Sequence, residues 1–154
     1  MIRKIISHST AIAKIKGSSS YPTLYGAVTF KQTSKGVLVT SEIYGLPCEN
    51  QCNSSIFAFH IHSGTSCTGN SVDPFAEADG HYNPNGCPHP YHTGDLPPLF
   101  GNHGYAYMSV LTDRFTVKEI IGKVAIIHSQ SDDFKTQIAG NAGGKIGCGK
   151  ILWR

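Results

Sequence analysis

The stretch FAFHIHSG, residues 57–64, decides how the rest of the chain is read. Successive side chains of an extended strand point to opposite faces, so Phe57, Phe59 and Ile61 share one side and Ala58, His60 and His62 the other. The bulky face belongs to a core. That sends His60 and His62 outward together from one rigid strand, the way two ligands are offered to one metal. By itself the His-x-His pair does not choose between two surface imidazoles and one wall of a metal site.

Around this stretch the chain reads as short strands: AIAKIKG (11–17), YGAVTFKQT (25–33), GVLVTSEIYG (36–45) and SIFAFHIHS (55–63), then GYAYMSVLT (104–112), GKVAIIHS (122–129) and KIGCGKILW (145–153). A tight hairpin is expected around Ser34-Lys35-Gly36. Thr116-Val117-Lys118-Glu119 spells a capping box that can start a single helical turn. Charged residues are 15% of the 154, well below the usual quarter, and 17 glycines with 8 prolines favour turns over long helices. About seven short strands predict an all-β sandwich or barrel in a single domain, 1–154.

A net charge of +3, spread over scattered basic residues, argues against a nucleic-acid groove or a membrane-binding patch. No run approaches the roughly 20 apolar residues of a membrane span. No secretory signal reads in MIRKIISHSTAIAKIK, so the expected location is cytoplasmic. Five cysteines are an odd number, and structural disulfides are uncommon in the cytosol.

The segment from Gly64 to His103 has almost no periodicity, and an ordered loop of that length is usually functional. Within it, GHYNPNGCPHPYHTGD carries His81, His89, His92 and Asp95. Three nitrogens and one oxygen complete a tetrahedral zinc shell. Imidazole also suits copper, and His60, His62 and His128 supply three further nitrogens. The bland alternative is a polar loop that coats the surface, but Pro84, Pro88 and Pro90 stiffen the segment that holds the ligand-like spacing. Neither the H-x-E with P-C-x-x-C of zinc deaminases nor the H-E-x-x-H of zincins occurs.

Taken together, FAFHIHSG, GHYNP, HTGDL and GNAGGKIGCG resemble the copper/zinc superoxide dismutase family over nearly the whole chain. The resemblance implies an eight-stranded Greek-key β-barrel of immunoglobulin-like sandwich type, with a long metal-binding loop and the metals outside the barrel. It implies copper at His60, His62, His81 and His128, zinc at His81, His89, His92 and Asp95, and Asp132 as the carboxylate linking a copper-ligand histidine to a zinc-ligand histidine. It also implies a disulfide between Cys67 and Cys148, closing a loop worth roughly 4 kcal/mol or more in chain entropy. Cys48 and Cys52 lie outside the pattern and read equally as a small disulfide or two thiols, while Cys87 is left unpaired.

Three departures accompany the matches. The His89–His92 spacing is trimmed, the segment between His128 and Gly140 keeps Lys135 as its main charge, and the family's active-site arginine is Lys145. A lysine keeps the charge but loses the planar fork. The implied activity is dismutation of superoxide to dioxygen and hydrogen peroxide, with His81 and Lys145 as catalytic residues and a small anion as the partner. The alternative is a non-enzymatic domain that buffers or delivers copper or zinc. The family often forms homodimers, and the sequence leaves monomer and dimer both open.

Overall fold

In the computed structural model, which describes residues 9–48 and 55–154, the two-fold alternation of FAFHIH is kept. Phe57, Phe59 and Ile61 enter the main core, and Ala58, His60 and His62 face away from it. All six are nonetheless buried, because the outer face of this strand is roofed by loops. The histidines are therefore outside the barrel but not on the surface of the molecule.

The described residues form eight strands: β1 (Thr10–Gly17), β2 (Tyr25–Thr33), β3 (Gly36–Tyr44), β4 (Ile56–His62), β5 (Asp95–Phe100), β6 (Ala106–Thr112), β7 (Val124–His128) and β8 (Lys145–Trp153). They make one antiparallel sheet in the order β5-β4-β7-β8-β1-β2-β3-β6. Pairing of β3 with β6 and of β4 with β7 gives the crossed connections of a Greek key. The edge strands β5 and β6 approach each other, so the sheet curls into a nearly closed barrel.

Thr33 faces Gly36 across the two-residue turn Ser34-Lys35, the expected hairpin. The capping-box spelling starts a single turn, α1 (Val117–Ile120), in which the Glu119 carboxylate accepts the Thr116 N–H at 2.6 Å. Val117 and Ile120 tuck beneath it into the core.

The strand that the sequence pattern hid is β5, DLPPLF. Pro97 and Pro98 interrupt any alternation, and proline is confined to edges and bulges because it cannot donate to a ladder. The structure puts it at both: β5 is an edge strand, and its register with β4 shifts between Phe57 and Phe59. That pairing sets Asp95 opposite His60. A 3-10 turn at Ala76–Ala78 breaks the remainder of the long loop.

Strand β7 is buried along its whole length. Ala125 and Ile127 join the barrel core, while Val124 and Ile126 join a second cluster with Phe75, Ala78 and Cys148. This small outer core glues the loop after β4 to the back of β7 and β8. His128 follows Val124 and Ile126 at the same two-residue spacing, so it emerges on the face that carries the loop.

Candidate metal centre

Two donor sets lie on that face. The donor atoms of His60, His62, His81 and His128 lie within 4.8 Å of one another, and so do those of His81, His89, His92 and Asp95. His81 is common to both. It is brought there by an isolated antiparallel bridge to His62, at the end of β4. The rings of His60 and His81 are 4.0 Å apart, those of His81 and His92 5.3 Å.

Outer hydrogen bonds decide which nitrogen of each ring faces the centre. His62 donates from Nδ1 to the Asp79 carbonyl at 2.6 Å, and His128 from Nδ1 to the Gly143 carbonyl at 3.3 Å. Their Nε2 atoms are left facing each other at 3.2 Å. His60 is turned the other way: Nε2 donates to Asp132 Oδ2 at 2.8 Å, which aims Nδ1 inward. The other Asp132 oxygen accepts His89 Nε2, also at 2.8 Å. On the loop side His81 Nδ1 is 2.8 Å from Asp95 Oδ1, and His89 Nδ1 is 3.1 Å from Asp95 Oδ2 without hydrogen-bond alignment. Ring orientation fixed from outside is characteristic of metal-ligating histidines.

Among the described residues, His60 Nδ1, His81 Nε2 and His89 Nδ1 are buried side-chain nitrogens without a hydrogen-bond partner. A buried polar atom left unsatisfied costs about 1–3 kcal/mol, so three in one place call for something to engage them. Metal ions would do so, since the first two atoms belong to residues of the four-histidine set and the third to a residue of the set completed by Asp95. The fit also holds electrostatically. Burial drives the His128 imidazole down to about 3 and pushes His60 and His62 below the usual histidine range, so these rings are neutral, as ligands must be. Burial raises the Asp132 carboxyl, but hydrogen bonds from His60, His89 and the Phe134 N–H outweigh it and hold Asp132 well below the carboxylate range.

The comparisons agree with this geometry. A family profile described as copper/zinc superoxide dismutase (SODC) matches residues 24–151. The chain belongs to the copper/zinc superoxide dismutase family. It is 33% identical to copper–zinc superoxide dismutase 2 of Aquifex aeolicus (strain VF5), over 82% of this chain and 78% of that one. It is 31% identical to the copper–zinc superoxide dismutase of Legionella pneumophila, over 98% and 95%. The fold is that of the copper/zinc superoxide dismutase from Brucella abortus, with a TM-score of 0.77 at 24% identity, covering 92% of this chain and 98% of that one. Membership makes the chain an enzyme of oxidoreductase type, and its donor sets suit the two metals of the family's name.

Cys67 and Cys148 are joined in a disulfide that spans 81 residues. Among the described residues Cys48 is an exposed free thiol and Cys87 a half-buried one; Cys52, and with it the expected choice for the Cys48–Cys52 pair, lies outside them. Lys145 stands opposite His128 in the β7–β8 register. Its ammonium is not open to solvent alone: it donates to Asp73 Oδ2 at 2.6 Å and to the Phe75 carbonyl at 3.1 Å. Lys135 is exposed in the segment after β7. No helix among the described residues is long and apolar enough to cross a membrane.

Three further residues hold the two donor sets in place. Arg114 donates from Nη1 to the carbonyls of Pro90, His92 and Asp95, each at 3.2 Å, and so ties the ligand loop to the end of β6. Gln137 grips the His89 backbone from both sides, accepting its N–H and donating to its carbonyl, both at 2.9 Å. Gly140 has φ +68°, and a Cβ there would collide with Asp132 Oδ1 and His89 Nε2. Of these only Gly140 sat in a quoted motif, GNAGGKIGCG. Arg114 and Gln137 act on backbone carbonyls and amides, and such partners leave no residue-type signal.

Proposed function

We propose that the chain dismutes superoxide to dioxygen and hydrogen peroxide, with copper held by His60, His62, His81 and His128 and zinc by His81, His89, His92 and Asp95. The observation that carries this reading is His81. Its Nδ1 lies 2.8 Å from Asp95 in one donor set, and its Nε2 is buried and unpartnered in the other. A storage site for two separate ions has no need of a shared ring.

Copper held by His60, His62, His81 and His128 would supply one-electron chemistry, by which two superoxides and two protons give dioxygen and hydrogen peroxide. The chain supplies geometry and protons. His81 would hold a proton at Nε2 in the half-cycle that releases dioxygen and yield it to the peroxide in the other, while its Nδ1, beside Asp95 in the zinc set, would keep the ring in place. Asp132 fixes the rings of His60 and His89 through the whole cycle. Lys145, beside His128, attracts the anion to the copper face.

The second reading, a domain that buffers or delivers copper or zinc, is favoured by one observation, the pairing of Lys145 with Asp73. Turnover separates the two. The cupric, zinc-loaded protein is exposed to a large excess of superoxide while its visible copper absorption is followed. Dismutation predicts consumption of many superoxides per copper with the absorption bleaching and returning. Consumption that stops at about one equivalent per copper would leave only the storage domain.

A further inference from the structure

The Lys145 ammonium stands at a cavity of about 400 Å³ whose lining includes Ser18, Tyr21, Asp73, His128 and Gly143. Asp73 and Lys145 are the fully charged groups in that lining, and they are paired at 2.6 Å. Their charges cancel where the cavity reaches His128. We propose that Asp73 is a positioning residue that restrains anion capture: it holds Lys145 in an ion pair and lowers the attraction of the copper face for small anions. The inference rests on His60, His62, His81 and His128 being the copper ligands.

The carboxylate is aimed independently of the lysine. The Asp73 N–H donates to Asn70 Oδ1 at 2.9 Å, its carbonyl accepts the Asn70 N–H at 2.9 Å, and its Oδ1 accepts the Phe75 N–H at 3.0 Å. That leaves Oδ2 turned toward Lys145. The loop carrying this turn is itself fastened. Gly64 donates to the Ala78 carbonyl at 2.8 Å, Phe75 and Ala78 pack on Val124 and Ile126, and Cys67 is bonded to Cys148 on β8. Lys145 also donates to Phe75 O, so two atoms of one loop compete with an incoming anion for the same ammonium. The Lys145 side chain is 16% exposed and that of Asp73 39%, which leaves the pair reachable but partly screened from water.

The probe is azide, a small anion that binds cupric ion without turnover, titrated into copper- and zinc-loaded protein at neutral pH and followed by the copper absorption. Wild type is compared with Asp73→Asn, Lys145→Met and the double variant, at low and at near-physiological salt. Asn keeps an oxygen for the Phe75 N–H, and Asp73→Ser is made alongside it as a second neutral replacement. Freeing one unit of positive charge several ångströms from the ligand predicts azide binding about three- to tenfold tighter in Asp73→Asn at low salt. The gain shrinks as salt rises and the Debye length falls toward about 8 Å. Lys145→Met, which leaves the carboxylate alone, binds azide more weakly than wild type, and the double variant returns to about the wild-type value. Azide affinities and salt slopes of both Asp73 variants equal to or weaker than wild type would overturn the inference. Because azide affinity is read without turnover, failure of dismutation with the predicted azide order intact overturns the functional reading alone.

Discussion

His60 Nε2 and Asp132 Oδ2 are 2.8 Å apart, and the other oxygen of that carboxylate holds His89 at the same distance. One side chain thus sets the rotation of a ring on strand β4 and of a ring on the loop. Asp132→Asn offers one oxygen and one NH2, so only one ring keeps its acceptor. Loss of such an outer partner typically weakens metal binding by about 10- to 100-fold. Chelator competition reads this, with zinc and copper both affected; unchanged affinity for both metals would show that the rings are held by packing alone.

The disulfide bears on stability and on the site together. Closing an 81-residue separation is worth about 4.5 kcal/mol in the chain-entropy treatment. Cys67 also packs on the small outer core that fastens the loop leading to His81. Replacing Cys67 and Cys148 by serine is expected to cost about 2–5 kcal/mol in denaturant midpoints and to speed metal loss to a chelator. A destabilised variant with unchanged metal release would separate the two roles.

For the metal-free protein the imidazoles predict a direction with pH. Burial holds His128 at about 3, below its ordinary 6.5, so between those values the unfolded chain binds the proton more readily than the folded one. The contribution is complete above pH 6.5 and is lost as pH falls toward 3. His60 and His62 are shifted the same way. Asp132 and Asp95, both lowered, add a loss that begins only below about pH 4. The thermal midpoint of the metal-free protein is expected to fall steadily from pH 7 to pH 4, and a flat midpoint over that range would contradict neutral buried histidines.

Seven strands and the outward pair of histidines were legible because alternation is a local property, written in FAFHIH and VAIIH by side-chain type. Strand β5 was not, since Pro97 and Pro98 erase the alternation and only pairing with β4 defines it. The candidate ligands stood out because His and Asp at close spacing are chemically distinctive. Their supports did not. The ion pair between Asp73 and Lys145 joins residues 72 apart in sequence, and Arg114 reaches backbone carbonyls that every residue possesses.

Arg114 is the support most open to test. A single Nη1 donates to three carbonyls of the ligand loop, two of them belonging to the proposed zinc ligands His92 and Asp95. Arg114→Met removes these bonds and is expected to weaken zinc binding by about tenfold, within the range for outer partners, while leaving copper affinity near wild type. Arg114→Lys, with one compact donor group, falls between. Equal weakening of both metals would point to a general loss of fold stability in place of a local tether.

The most direct test of the central claim is metal content measured together with superoxide decay. Metal-free protein is given one equivalent of zinc and then copper in steps, with bound metal and the second-order decay rate followed at each addition. One zinc and one copper per chain are expected, with a rate that rises in proportion to bound copper and levels off at one equivalent. A protein that fills with one copper and one zinc yet leaves the decay of superoxide unchanged would contradict the claim.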